Sequence, residues 1–441
     1  MRSSYDLSRL ETTFDEDNLV PNAGLIAPGA LAQKLGIAEL VDERVHLPAD
    51  AAGRANGGTK ATTVIGAMLT GADSISDTDV LRAGAAPEIF DDIRAPSTIG
   101  TWLRGFTWAT VRQLDAVSRE LLARAWQAGL GPDLADDLTV DVDSTICETY
   151  GVRKQGARFG YTKVRGYHPL LATLAGTGEI LHSRMRGGNA GSARGAHSFV
   201  AETISRIRDA GATGAVTMRA DSAFCSRAFI NACRNHDVRF SVTTRLLKPI
   251  RWTIEEIPEE DWTPIPYWME GGADVAETTY TAFRGTKHAT ELRLIVRRVR
   301  PSPGTQLALD VVFDYHPFLT DRPGNTMDLE ADHRRHATIE LAIRDLKAGG
   351  LAHVPSGKFA ANAAWLSLAV MAHNLARWTL AAAGDHWTRA TTQTLRDKLV
   401  SMPARVVHTA RRLKLRAPTN WPWEAAYHRA LAAIAAIPAP T

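Results

Sequence analysis

Apolar positions in the first 130 residues recur at helical spacing. Leu31, Leu35, Ile37 and Leu40 fall about one turn apart, and Val64, Met68 and Leu69 recur within Lys60–Leu69. Leu114, Val117, Leu121 and Ala125 make one stripe of a helix over Val111–Gln127. Ser97, after Pro96, is placed to cap a helix over Thr98–Phe106. Near residue 137 the period changes. Leu138–Asp143 alternates like a half-buried strand, and Leu170–Thr173, Ile180–Met185, Thr217–Ala220 and Arg239–Thr243 read as further strands. Helices are predicted over Val200–Ala210 and Ala228–Arg234. Strands followed by a strand–helix–strand unit indicate an α/β sheet with helices on its faces.

The next segment, 244–330, reads as short strands at Thr278–Phe283, Leu292–Val299 and Leu309–Tyr315, separated by Gly, Pro and Asp turns. It is expected to form a β-rich subdomain inserted into the core and out of register with the core sheet. Asp332–Lys347 then reads as one helix closed by Gly349 and Gly350. Asn362–Leu380 is apolar nearly all round, with Trp365, Leu368, Met371, Leu375 and Trp378, so it is expected to be buried. The Ala-rich end, Ala425–Ala439, is predicted helical up to Pro438, and no internal repeat is present. The regions are therefore 1–132, helical; 133–243, first part of the core; 244–330, β-rich insertion; 331–384, second part of the core; and 385–441, basic.

Composition narrows the class. A chain of 441 residues exceeds what one hydrophobic core usually serves, so two to four domains or subdomains are expected. Hydrophobic residues at 45% and charged residues at 22% suit a soluble protein. No apolar run reaches the roughly 20 residues that span a bilayer. Met1–Leu10 lacks an apolar signal core, and Cys147, Cys225 and Cys233 lack metal-knuckle spacing. These features suit reduced thiols in a cytoplasm. Net charge is only +3, so distribution matters more than sum. Residues 1–50 carry four Lys/Arg against nine Asp/Glu, whereas 385–441 carry nine against three. Between Glu148 and Glu179 there is no acid, but there are Arg153, Lys154, Arg158, Lys163 and Arg165. Such a stretch fits a polyanion held near a metal site; a solvated loop is the plainer reading.

Three acids carry the candidate chemistry. In Thr139-Val-Asp-Val-Asp-Ser-Thr145, Asp141 and Asp143 share one strand face, and a cation such as Mg²⁺ would relieve their repulsion. Asp221 stands where an apolar strand stops and a helix begins, at the carboxyl end favoured for ligands in α/β sheets. Each is singly also explained as a turn or helix cap. The third, Glu340, falls with His333, His336, Arg344 and Lys347 on one polar helical stripe, opposite Ile339, Ala342, Ile343 and Leu346. A solvated Glu–Arg pair or a zinc site of His333, His336 and Glu340 are the alternatives. Together, two strand-end Asp residues and a helical Glu are the ligand set of a two-metal phosphoryl-transfer site.

On these motifs the chain resembles bacterial insertion-sequence DDE transposases, in the ribonuclease-H-like branch with a β-strand insertion before the Glu. Asp143-Ser144-Thr145, Asp221 followed by Phe224, and Glu340-x6-Lys347 carry the resemblance. Pro96-Ser-Thr98 with Leu103-Arg104, Gly166-Tyr-His-Pro169, and Asn362-Ala-Ala-Trp365 with His373-Asn374-Leu375 extend it over roughly residues 5 to 430. The family's Tyr-x2-Arg-x3-Glu is here His333-x2-His336-x3-Glu340. The resemblance implies catalytic and metal-binding roles for Asp143, Asp221 and Glu340 with two Mg²⁺ ions, for which Mn²⁺ may substitute. It implies a DNA-end-binding function for 1–132. DNA contacts are expected from Lys347, Arg344, His336, Arg153, Lys154, Arg158, Lys163 and Arg165, with Arg334, Arg335 or Arg344 as substitutes for His336 in clamping phosphate. An aromatic of the insertion (Trp252, Trp262 or Trp268) would stack on a flipped base. The implied partners are terminal inverted repeats, target DNA and a second copy of the chain, in a bacterial cytoplasm near the nucleoid and without a membrane. A DNA-binding derivative that no longer cuts, and a metal-dependent nuclease that does not join ends, are the other readings.

Overall fold

One nine-stranded sheet runs through the computed structural model, which describes residues 6–301, 313–409 and 412–438. Its strands are β1 (Leu138–Ser144), β2 (Leu170–Leu174), β3 (Ile180–Arg184), β4 (Val216–Ala220), β5 (Arg239–Thr243), β6 (Thr263–Ile265), β7 (Ala273–Ala282), β8 (Thr290–Val299) and β9 (Asp314–Thr320). They lie in the order β6-β7-β8-β9-β5-β4-β1-β2-β3. β1, β4 and β5 run parallel, while β2 is antiparallel to both β1 and β3. That five-strand arrangement is ribonuclease-H-like. Val140, Val142, Leu170, Leu171 and Ala172 are wholly buried, as strands covered on both faces must be.

The helices are α1 (Ile26–Lys34), α2 (Ile37–Arg44), α3 (Gly57–Thr70), α4 (Pro96–Arg104), α5 (Trp108–Gln127), α6 (Ala196–Asp209), α7 (Arg227–Asn235), α8 (Lys248–Glu255), α9 (Thr326–Arg334), α10 (Ile339–Lys347) and α11 (Phe359–Ala382). α11 is the buried helix expected from its apolar faces, packing on α3, α5 and β3. α4 begins at Pro96 after an uncapped Ala95, so Ser97 is not the cap; proline at the first position presets the helical φ instead. Thr107 caps α5 and exchanges side-chain bonds with Thr110. At the other end of the chain, Ala404–Thr409 and Arg412–Arg416 form a hairpin whose first strand pairs with Leu19–Val20. A helix over Glu424–Ala436 packs on α1 and α11; of the predicted Ala-rich helix, Ala439 lies outside the described residues. Among the described residues no single helix is long and apolar enough to cross a membrane.

Two further expectations are corrected. The 244–330 segment is rich in strands, but these do not stand apart from the core. Phe318, Leu319 and Thr320 of β9 pair with Thr243, Val242 and Ser241 of β5, so the inserted strands continue the core sheet. The free backbone groups along β5 are otherwise an open edge, and an added antiparallel strand satisfies them. Of the predicted strand Leu309–Tyr315, residues 309–312 lie outside the described residues. The second correction concerns Asp332–Lys347, which is two helices, α9 and α10, joined by a 3₁₀ turn over Arg335–Thr338. The break accompanies two imidazoles drawn toward the sheet. His333 bonds the hydroxyls of Ser241 (2.7 Å) and Thr243 (3.0 Å) and stacks on Phe318 at 4.1 Å, while His336 reaches β1.

Buried polar groups cross-link the layers. Glu179, in the β2–β3 turn, accepts from the indoles of Trp126 on α5 (3.0 Å) and Trp378 on α11 (2.5 Å). Asn374 of α11 bonds both backbone groups of Ile180, covering the β3 edge. Burial pushes the Glu179 carboxyl above its usual range, so its three side-chain donors are what hold it in place. Glu179→Ala leaves two buried indole N–H groups without acceptors and is expected to cost about 3 kcal/mol. Thermal melting should show a clear drop for Glu179→Ala and partial recovery for Glu179→Gln, which keeps an acceptor; an unchanged melt for the alanine variant would refute the cross-link.

Candidate active site

The register between β1 and β4 builds the site. Val140 lies opposite Met218, Asp141 opposite Arg219 and Val142 opposite Ala220. One further step along the same parallel register sets Asp143 beside Asp221, on strands about 4.8 Å apart. Asp141 is wholly buried, and its carboxylate accepts from Arg219 Nε (2.7 Å) and Nη2 (2.8 Å) in a two-pronged pair. Arg219 also donates to the backbone and carboxylate oxygens of Asp332 at the end of α9, which Arg322 holds from the other side. His336 Nδ1 donates to Asp141 Oδ1 at 2.8 Å. The cation facing Asp141 is thus an arginine, which corrects the expectation that a metal ion relieves the Asp141–Asp143 pair.

Asp143 has no such partner. It is half-buried and accepts a bond from the Ser144 N–H at 2.6 Å. Burial pushes its carboxyl up to about 6, with the Asp221 and Glu340 carboxylates adding to the rise and the Ser144 N–H and His336 opposing it. The three predicted acids therefore share one field. Asp221 accepts from the Ala223 N–H at 3.0 Å, turning the chain out of β4. Glu340 is exposed in the first turn of α10, where a helix N-terminus favours an acid. Among the described residues the ligand atoms of the three are not gathered within 4.8 Å of one another. Their donor set, carboxylate oxygens alone, is hard and suits Mg²⁺ or Mn²⁺.

Another group does meet that distance: Asp115, His182 and Glu202 lie within 4.8 Å of one another. Arginines already neutralise it. Arg206 bonds Asp115 at 2.6 Å, Arg184 and Arg112 bond Glu202 at 2.8 and 3.0 Å, and His182 stacks on Phe199. We read it as an ion-pair network beneath the β3 edge, since each carboxylate has its guanidinium.

The basic residues separate into two kinds. Lys154 donates to the carbonyl of Val354, and Arg165 donates to those of Gly151 and Val152, so both brace the backbone. Arg153, Arg158, Lys163 and Arg344 are exposed. Lys347 is half-buried beside Cys147, whose thiol burial pushes up to about 11. His336 serves Asp141, and His333 is occupied on both ring nitrogens, which closes the zinc alternative. Trp252 and Trp268 are exposed, whereas Trp262 is buried beneath Arg298. Arg219, Asp332 and Arg322 were missed. The available signal was Arg-x-Asp on β4, the complement of Asp-x-Asp on β1.

The ribonuclease-H-like sheet, with Asp at the ends of two adjacent parallel strands and Glu on a helix after an inserted β segment, defines a protein of the DDE type. The chain belongs to the family described as Transposase DDE domain group 1, which matches residues 3–439. Among solved structures it is similar to a piggyBac transposase in a synaptic complex with hairpin DNA, at 11% identity and a TM-score of 0.37, over 84% of this chain and 80% of that one. No curated protein matches it.

Two outcomes follow from this electrostatics. A raised carboxyl means that the folded chain holds its proton more tightly than the unfolded chain. The resulting penalty is absent below about pH 4, grows through the window up to about pH 6, and is full above it, amounting to about 3 kcal/mol. In metal-free protein, Asp143→Asn should therefore melt above wild type at pH 7, with the gap closing near pH 4; equal melts at both would refute the field. Arg219→Met strands a buried carboxylate and should cost about 3–5 kcal/mol, largely restored by adding Asp141→Leu. Chemical denaturation of both variants checks the coupling.

Proposed function

We propose that this chain is a transposase that cuts DNA at the ends of an insertion sequence and joins those ends to target DNA. The observation that supports the reading is the field at Asp143, which the Asp221 and Glu340 carboxylates both raise, at the end of the β1–β4 register. Asp143, Asp221 and Glu340 would hold two Mg²⁺ ions, or Mn²⁺ in their place. Bound there, divalent ions supply a nucleophile of lowered pKa and charge neutralisation at the leaving oxygen. The chain's own residues do the rest. Asp141 and Arg219 hold the two Asp-bearing strand ends in register. His336 tethers the turn before Glu340 to the same buried carboxylate. Lys347, Arg344, Arg153, Arg158 and Lys163 bind backbone phosphates, which position the duplex without reading its bases. A water attacks the phosphodiester at the element end, and the freed 3′-hydroxyl attacks the second strand or the target. Two copies of the chain pair the two ends, and the work is done on DNA in a bacterial cytoplasm.

The test is to incubate full-length protein with labelled end DNA and a target plasmid in Mg²⁺. Joined products support the proposal, cut products alone select a non-joining nuclease, and a shifted band alone selects a DNA-binding derivative. Asp143→Asn, Asp221→Asn and Glu340→Gln should each bring cutting to background while leaving end binding largely intact, since the phosphate contacts remain. Lys347→Ala should weaken binding alike on all sequences and lower the salt slope by about one unit. Unchanged affinity and slope, with a lowered melt, would leave Lys347 a purely structural role.

A further inference from the structure

The loop between β3 and α6 is built around a buried arginine. Arg186 is only 8% exposed. Its Nε donates to the His168 carbonyl at 2.8 Å. Its Nη1 donates to the carbonyls of Gly191 (2.9 Å), Ser192 (3.0 Å) and Arg194 (2.9 Å). Nη2 is buried without an acceptor among the described residues. Carbonyl oxygens bear only partial charge, so the guanidinium finds no counter-ion in the loop. Burial, with Arg184 and Arg194 nearby, pushes it down to about 10. Between Glu179 and Glu202 the chain has no acid, and Glu202 is already paired with Arg184 and Arg112.

The carbonyls turned onto Arg186 dictate where the loop's donors point. In a trans peptide the N–H points opposite to the carbonyl before it. With the Gly191, Ser192 and Arg194 carbonyls directed inward, the N–H groups of Ser192, Ala193 and Gly195 are directed outward. None of the three has a backbone acceptor among the described residues. Such a row of amides is an anion-binding concavity. It leads into α6, a helix of 14 residues whose N-terminus adds partial positive charge. Arg194 stands exposed in the same loop. The loop is fixed at its base and open at its tip. A Cβ on Gly188 would collide with the carbonyl oxygens of Arg158 and Gly166, whereas one on Gly191 would meet nothing within 4 Å.

The sheet puts this loop on the side of the acids. β2 is antiparallel to both β1 and β3, so β3 ends at the same edge of the sheet as Asp143. Ser144, the residue after Asp143, donates its hydroxyl to that of Ser192 at 3.2 Å. We infer that the β3–α6 loop, Gly187–Gly195, holds one backbone phosphate of duplex DNA on the outward amides of Ser192, Ala193 and Gly195 and on Arg194. The inference rests on the DNA reading above and adds to it a contact toward the β3 edge, away from the inserted strands. Arg186 is a positioning residue, which turns the amides outward and sets a buried charge beneath them. Amides and a guanidinium bind phosphate without reading bases, so the contact is the same on any sequence.

The experiment measures binding of a labelled blunt duplex to full-length protein in metal-free buffer over a range of NaCl concentrations. Arg194→Ala should weaken binding about tenfold at about 0.1 M salt and lower the salt slope by about one unit. Its melt should be unchanged, because the side chain is exposed, and Arg194→Lys should keep the slope. Duplexes in which one phosphate at a time is replaced by a neutral methylphosphonate then locate the contact. At one position the replacement should weaken wild type but not Arg194→Ala. Unchanged affinity and slope in Arg194→Ala overturn the inference, as do methylphosphonate losses equal in both proteins at every position. Inorganic phosphate that raises the wild-type melt at matched ionic strength, while DNA binding ignores Arg194→Ala, also overturns it and assigns the loop to a free anion. A slope flattened in Lys347→Ala but not in Arg194→Ala overturns the inference and spares the DNA reading. Failure of wild type to bind the duplex overturns both.

Discussion

The Asp141–Arg219 pair is the contact on which the geometry of the site depends. Buried ion pairs are weak evidence of stability, because desolvating two charges cancels much of their attraction. Their larger effect is on registration. The apolar residues are Leu and Val on β1 and Val, Met and Ala on β4, and apolar contacts alone tolerate a slip better than a two-pronged charge pair does. A slip of one residue would strand a buried carboxylate and a buried guanidinium and would part Asp143 from Asp221. Arg219 also holds Asp332 at the end of α9, so the same group sets where the 3₁₀ turn toward Glu340 begins. One arginine thus links both Asp-bearing strands to the segment that delivers the Glu.

Two chemically identical residues on one strand face therefore have opposite fates. Asp141 has a guanidinium and an imidazole and is part of the frame. Asp143, two residues on, has one backbone N–H, a distant imidazole and two neighbouring carboxylates, so its charge is unfavourable without a cation. A sequence chosen for stability alone would place an amide or an apolar residue there. The retained charge marks the position where local preference yields to chemistry.

Local pattern made much of this legible. Arg239–Thr243 is a strand as its alternation predicts, the Asp-x-Asp face of β1 is real, and the all-round apolarity of Asn362–Leu380 marks the central buried helix. What escaped depends on partners far along the chain. Edge pairing of β9 on β5 uses backbone groups, which carry no side-chain signature. The break between α9 and α10 follows from imidazoles bonded to Ser241, Thr243 and Asp141, invisible to a count of helical spacing. The strand at Leu19–Val20 is two residues long and exists because Ala404 and Arg405 lie beside it. The basic run 153–165 read as five equal charges. In the folded chain Lys154 and Arg165 spend theirs on carbonyls, and only geometry distinguishes them from Arg153, Arg158 and Lys163.

α10 joins these features into one device. Its N-terminus favours the exposed Glu340 beside the strand ends, and its C-terminus favours the cation of Lys347 beside the Cys147 strand. Helix dipole and side-chain charge therefore agree at both ends, so the helix is stable with an acid at the site and a base at its far end. The apolar face, Ile339, Ala342, Ile343 and Leu346, is buried and resists rotation about the axis. A rigid helix fixes the spacing between acid and base. Any movement of the His336 turn is then felt at both ends together.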